Sequence, residues 1–251
     1  MEGKMKVAEM QGIGKMGYVE KDIPTPNADE VLVKLDYVGI CGSDLHYYEE
    51  GRIGNYEVEF PFILGHEAGG VVVEVGEDVT HLHVGDKVAL EPGKTCGHCE
   101  FCTSGRYNLC PEVVFFATPP VDGVFQEYVA HEAKLCFKVP DNMDTLEAEM
   151  VEPFSIGLHA ARQGGAKFGQ TAVVFGAGCI GLCTMMALKT QGVSDVYVID
   201  LMDKRLEKAK ELGAKETVSG KGDAVAEIME LTDGRGVDLV FDCTGSEYCV
   251  N

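Results

Sequence analysis

The sequence has 251 residues, 45% of them hydrophobic, which is enough for a sizeable core and suits two modest domains better than one. Its 21 basic and 41 acidic residues give a formal charge of −20, which weighs against nucleic acid and anionic membrane surfaces as partners. No stretch approaches the ~20 apolar residues of a membrane helix, the N-terminus has no apolar signal segment, and a reducing cytoplasm is the expected setting for its 10 cysteines.

Val31, Val33, Leu35 and Tyr37 alternate with Leu32, Lys34, Asp36 and Val38, a period-two pattern that predicts a strand ending at Gly39-Ile40-Cys41-Gly42. Gly70 to Val75 is mostly valine and predicts a strand buried on both faces for much of its length. Gly85-Asp86 turns the chain into a strand over Lys87 to Leu90, and Phe125 to Ala130 is a further strand. Beyond Glu147 the period changes. Phe154 to Arg162 predicts a helix, Thr171 to Phe175 a short buried strand, and Ile180, Cys183, Ala187 and Leu188 a helix. Val196 to Ile199 is a strand, Leu206, Ala209 and Leu212 mark a helix stopped by Gly213, Ala224 to Leu231 is another helix, and Val237 to Phe241 a strand. This alternation predicts an α/β chain whose second part, residues 154–251, is a doubly wound parallel sheet, after a β-rich first part, residues 1–153.

Cys96, Cys99, Cys102 and Cys110 follow the pattern C-x2-C-x2-C-x7-C, inside a lobe spanning residues 93–112. Four soft thiolates this close suit one tetrahedral Zn²⁺. With all four positions filled by protein, the site is expected to be structural.

Gly176-Ala177-Gly178-Cys179-Ile180-Gly181 follows the Thr171–Phe175 strand and opens a helix. The first glycine permits a tight turn, the second lets backbone approach a pyrophosphate, and the third lets helix and strand pack closely. Asp200, nineteen residues after Gly181, ends the next strand, where a carboxylate accepts from ribose hydroxyls and repels a 2′-phosphate. The context predicts a dinucleotide site built on Gly176, Gly178, Ile180, Gly181 and Asp200, with NAD favoured over NADP. Arg205 either stacks on the adenine, softening that preference, or is a solvated helix residue.

A second set is scattered: Cys41 at a strand end, Gly65-His66-Glu67 before the valine strand, and Glu152 before Pro153. Singly, each has a bland reading as a buried thiol, a satisfied core histidine or a helix cap. Together, Gly65-His66-Glu67-x2-Gly70-x5-Gly76-x2-Val79, the cysteine lobe and the nucleotide loop resemble the zinc-dependent medium-chain alcohol dehydrogenases, across the whole chain. Within that family the sequence is most similar to the polyol dehydrogenases acting on sorbitol, xylitol and L-iditol. The residues carrying this are Cys41 to Tyr47, Gly51-Arg52-Ile53-Gly54, Gly105 to Cys110, Phe115 to Gly123, and Glu152-Pro153.

The resemblance implies a GroES-like catalytic domain followed by a Rossmann domain, and oxidation of a polyol to the ketose with NAD. Cys41 and His66 would bind a catalytic zinc, with Glu67 and Glu152 as the remaining candidates, unranked by sequence. Ser43 would take the hydroxyl proton and pass it through the cofactor ribose to His46, although Ser43 also reads as a turn residue. Tyr47, Phe115 and Glu152 would line the substrate cleft, although both aromatics also read as core. Family members continue for roughly another half-domain beyond residue 251, so the sequence is expected to be C-terminally truncated and impaired alone, with the longer protein a dimer or tetramer. Dehydrogenation of L-threonine or 2,3-butanediol is the alternative within oxidoreductases. A non-enzymatic zinc module, and a quinone-reductase-like relative without zinc, are the alternatives outside that reading.

Overall fold

The computed structural model describes residues 2–250, and the chain divides into two compact units that part between Glu152 and Pro153. The first unit is built on a five-stranded sheet, in spatial order Tyr128–Glu132, Glu30–Gly39, Glu67–Val75, Lys87–Leu90 and Cys136–Lys138. Every neighbouring pair in it is antiparallel. Val31, Val33, Val72, Val88 and Val124 are fully buried and form its core. The valine strand is buried from Glu67 through Gly70, and from Val71 on only Val72 is buried, because its far half packs on one face only.

A hairpin of Lys4–Gly12 and Lys15–Asp22 precedes this sheet; the alternation of exposed Lys4 and Lys6 with buried Met5 and Val7 is the signal in the sequence that marks its first strand. The strand expected over Phe125 to Ala130 joins the sheet only at Tyr128. Residues 123–125 lie outside any strand and are bonded elsewhere. Gly123, Val124 and Phe125 donate to the carbonyls of Ile63, Gly65 and Leu64, and the Phe125 carbonyl accepts from Ala8. That lacing fixes the segment leading into His66.

The chain between the units runs through two helices, Thr145–Glu149 and Val151–Gln163. The first is held by a reciprocal cap: the Asp144 carboxylate accepts from the Glu147 amide at 2.8 Å and the Glu147 carboxylate from the Asp144 amide at 2.9 Å. The second begins at Val151, three residues ahead of the expected start. Pro153 lies in its first turn, where a missing N–H breaks no intrahelical bond.

The second unit is a four-stranded parallel sheet in the order Glu216–Ser219, Asp195–Asp200, Thr171–Phe175 and Leu239–Asp242. Helices Cys179–Thr190, Asp203–Glu211 and Ala224–Leu231 connect its strands. Its last strand starts two residues later than the hydrophobic run suggests, because Asp238 is used otherwise. The Asp238 carboxylate accepts from the Thr171 amide at 2.8 Å, and Arg235 pairs with it at 2.5 Å. Among the described residues, no helix is long and apolar enough to cross a membrane.

Candidate active site

The sheet brings three scattered residues together. Glu30–Gly39 ends two residues before Cys41, which caps the helix Gly42–Glu50. The neighbouring strand begins at Glu67, paired with Gly39 across the ladder. Gly65 turns the chain into it with φ of 91°; a Cβ there would also collide with the Phe125 ring. The Cys41 sulfur, a His66 ring nitrogen and a Glu67 oxygen all lie within 4.8 Å of one another. His66 and Glu67 are buried and Cys41 is half-buried.

Asp44, which the sequence reading quoted without a role, is the clamp of this arrangement. It is 2% exposed. One oxygen accepts from the Cys41 amide at 2.9 Å and the other from the Gly65 amide at 2.8 Å. The latter oxygen also lies 4.0 Å from His66 Nδ1. One carboxylate therefore ties the segment bearing Cys41 to the segment bearing His66. The available sequence signal was its place at the third helical position, where a side chain reaches back to the cap.

Thiolate, imidazole and carboxylate in one buried corner form a donor set that suits Zn²⁺, and three protein donors leave a position for a further oxygen. Burial pushes the Cys41 thiol up, against hydrogen bonding from Ser43 that favours the thiolate. Glu152 stands outside the group of three. Burial pushes its carboxyl up to about 7; His66 opposes this, and the carboxylates of Glu67 and Glu149 add to it. Of the two glutamates that sequence left unranked, the geometry groups Glu67 with the other donors. Glu149, absent from the sequence reading, is a further buried carboxyl, raised to about 7 by burial and by Glu67.

The remaining candidates separate. Phe115 packs its ring against His66, with centroids 5.6 Å apart. Tyr47 is 4% exposed and sits in an apolar cluster with Met10, Val58, Phe62 and Leu64. Ser43 faces the Cys41 sulfur. His46 is on the exposed side of the same helix, 3.7 Å from the Glu50 carboxylate.

The four lobe cysteines also converge within 4.8 Å. The helix Glu100–Thr103 starts at Cys99, and Cys110 ends the short 3-10 turn Tyr107–Leu109. The sulfurs of Cys99 and Cys102 are 3.4 Å apart, and those of Cys96 and Cys102 are 3.9 Å apart. A tetrahedron with Zn–S bonds of about 2.3 Å has edges of roughly 3.8 Å, so the cluster fits a four-thiolate zinc. Backbone N–H groups of His98 and Cys99 draw the Cys96 thiol down to about 6, favouring the ligand form. Replacing Cys99 by serine is expected to remove one zinc equivalent and expose residues 96–110 to proteolysis, while the other zinc stays. Metal analysis and limited proteolysis read this out.

In the second unit, the Gly176 amide donates to the Ile199 carbonyl at 2.7 Å, and Gly178 caps the helix Cys179–Thr190. A Cβ on Gly181 would run into the Gly176 carbonyl, whereas one on Gly178 would meet nothing within 4 Å. The loop is thus packed tightly below and open above Gly178, where backbone amides can face a phosphate. Ile180 is half-buried in the first turn of that helix. Asp200 accepts from the amides of Ala177 at 2.7 Å and Met202 at 2.8 Å, with Arg205 at 3.7 Å. Arg205 is therefore paired to Asp200.

Comparison with known proteins agrees with both halves. The model of the alcohol dehydrogenase GroES-like domain matches residues 27–141, and that of the zinc-binding dehydrogenases residues 179–251. A sorbitol dehydrogenase of Bacillus subtilis (strain 168) is 47% identical over 243 residues, covering 96% of this chain and 69% of its own length. A solved oxidoreductase of unknown specificity from Escherichia coli, involved in membrane biogenesis, superposes with a TM-score of 0.94 at 43% identity, over 99% of this chain and 72% of that one. The crystal structure of 2R,3R-butanediol dehydrogenase from Bacillus subtilis gives 0.85 at 38% identity, over 98% and 72%.

Proposed function

The chain belongs to the zinc-dependent medium-chain alcohol dehydrogenases, in their polyol dehydrogenase branch, and from that premise we propose that it oxidises a polyol to the ketose with NAD as hydride acceptor. The observation that carries the proposal is the convergence of Cys41, His66 and Glu67. These three would hold the catalytic zinc, and Cys96, Cys99, Cys102 and Cys110 a structural one. Zinc at the first site supplies Lewis acidity that lowers the pKa of a coordinated hydroxyl, and NAD supplies the acceptor for the hydride.

The protein's own residues do the rest. Asp44 holds Cys41 and His66 in register through its two amide bonds. Phe115 shields the His66 face from water, and Glu152 offers an acceptor to a hydroxyl-rich substrate. Ser43, beside the Cys41 sulfur, would take the proton released by the substrate hydroxyl, and His46, on the exposed side of the same helix, would be its outlet to solvent. Gly176, Gly178 and Gly181 would hold the pyrophosphate. Asp200, with the ribose hydroxyls as its partners, disfavours a 2′-phosphate, and Arg205 neutralises part of its charge without removing it.

The similarity to sorbitol dehydrogenase supports a polyol, and the similarity to 2R,3R-butanediol dehydrogenase supports a vicinal diol as the second reading. Steady-state rates with sorbitol, xylitol, L-iditol, 2,3-butanediol and L-threonine, each with NAD and NADP, test both. The proposal expects the highest kcat/KM with one of the three polyols and NAD. A higher value with 2,3-butanediol or L-threonine would replace the substrate assignment, and a higher value with NADP would replace the cofactor assignment.

A further inference from the structure

Resting on the assignment of Cys41, His66 and Glu67 to a catalytic zinc, we infer that Glu149 is a positioning residue that braces the Glu67 carboxylate from behind. Glu149 is the last residue of the helix Thr145–Glu149 and is 5% exposed. It is not one of the three converging donors, so it acts through one of them.

Two glycines make room for it. Gly39 pairs directly with Glu67 across the ladder, and a Cβ on Gly39 would collide with both Glu149 Oε1 and Glu67 Oε2. The two carboxyl groups therefore lie side by side in the space that a Gly39 side chain would fill. Gly69 is two residues along from Glu67, on the same face of the same strand. A Cβ on Gly69 would collide with the Thr145 carbonyl and the Glu149 amide. The missing side chain at Gly69 lets the helix lie directly on the strand, and the one missing at Gly39 leaves the slot into which its last side chain reaches.

With Glu149 Oε1 and Glu67 Oε2 both facing the space beside Gly39, the Glu149 head group holds one oxygen of Glu67 by a polar contact, which fixes the plane of that carboxylate and leaves the other oxygen for the metal. Glutamine at 149 keeps a polar head group of the same length. Alanine removes the head group and leaves Glu67 free to rotate into the vacated slot.

Chelator competition on the zinc-loaded protein tests this, with the four-cysteine zinc as internal reference. Glu149→Ala is expected to weaken the Cys41–His66–Glu67 zinc by about ten- to a hundredfold while the reference zinc is unchanged, the usual consequence of losing a partner that orients a ligand. Glu149→Gln is expected to restore affinity close to that of the unaltered protein, which a merely space-filling role would not distinguish from other side chains of the same size, so Glu149→Met is the matching variant expected to remain weak. Unchanged or tighter zinc in Glu149→Ala overturns the inference, as does Glu149→Met binding as well as Glu149→Gln. A single zinc in the unaltered protein overturns the site assignment itself, and the inference with it.

Discussion

Replacing His66 by alanine is expected to lower kcat/KM for the polyol by at least about a thousandfold. His66 is 8% exposed, sits within 4.8 Å of its two fellow donors, and packs on Phe115. Without it only a thiol and a carboxylate remain, too few for a stable zinc site of the catalytic kind. Lewis-acid stabilisation contributes several kcal/mol to the barrier, and each ~1.4 kcal/mol is tenfold in rate. The change should also cost some stability, because a buried ring becomes a small cavity, on the order of 1–3 kcal/mol. That cost would not by itself abolish turnover in a protein that still folds. Circular dichroism and zinc analysis on the same sample separate the two effects: native secondary structure with the four-cysteine zinc retained, and activity gone. A variant that keeps more than a tenth of the unaltered activity would contradict the role given to His66.

Gly181→Ala is the second large effect. The new Cβ would run into the Gly176 carbonyl, and that atom is backbone, so it cannot rotate away. Either the helix Cys179–Thr190 moves off the Thr171–Phe175 strand or the loop reshapes. Overpacking of this kind costs about 1–3 kcal/mol, so NADH is expected to bind roughly ten- to a hundredfold more weakly. Both zincs should stay, since the four cysteines and the Cys41 triad belong to the other unit. Gly178→Ala is the informative partner, because no protein atom lies within 4 Å of its added Cβ. It should leave stability unchanged and still weaken NADH, through the ligand's own approach to the backbone. NADH fluorescence titration reads both. Undiminished affinity in Gly181→Ala would mean that the loop is not the pyrophosphate cradle.

The parts of the molecule legible in the sequence are those whose chemistry is local. Four cysteines within one lobe, and a glycine loop between a strand and a helix, announce themselves by spacing, because their partners are neighbours in the chain. Cys41, His66 and Glu67 are legible only together, since their meeting depends on two strands pairing Gly39 with Glu67. Asp44 and Glu149 lie beyond that reach. Asp44 reads as a helix cap, and it is one, but its second oxygen serves the Gly65 amide twenty-one residues away. Glu149 follows a capping box and reads as an ordinary charged helix end; only the close approach allowed by Gly39 and Gly69 buries it. The choice between Glu67 and Glu152 depends on sub-turn differences in position, which neither periodicity nor spacing encodes. The displaced ends have the same origin. Phe125 looks like strand, but its hydrogen bonds go to Leu64 and Ala8 in place of the sheet.

On this assignment the first unit holds two separate zinc sites, one closed by four thiolates and one open. Zinc content measured on the unaltered protein and on Cys41→Ser tests it most directly. The account predicts two equivalents falling to one, with the remaining zinc lost only when a lobe cysteine is also replaced. One equivalent in both proteins would contradict it.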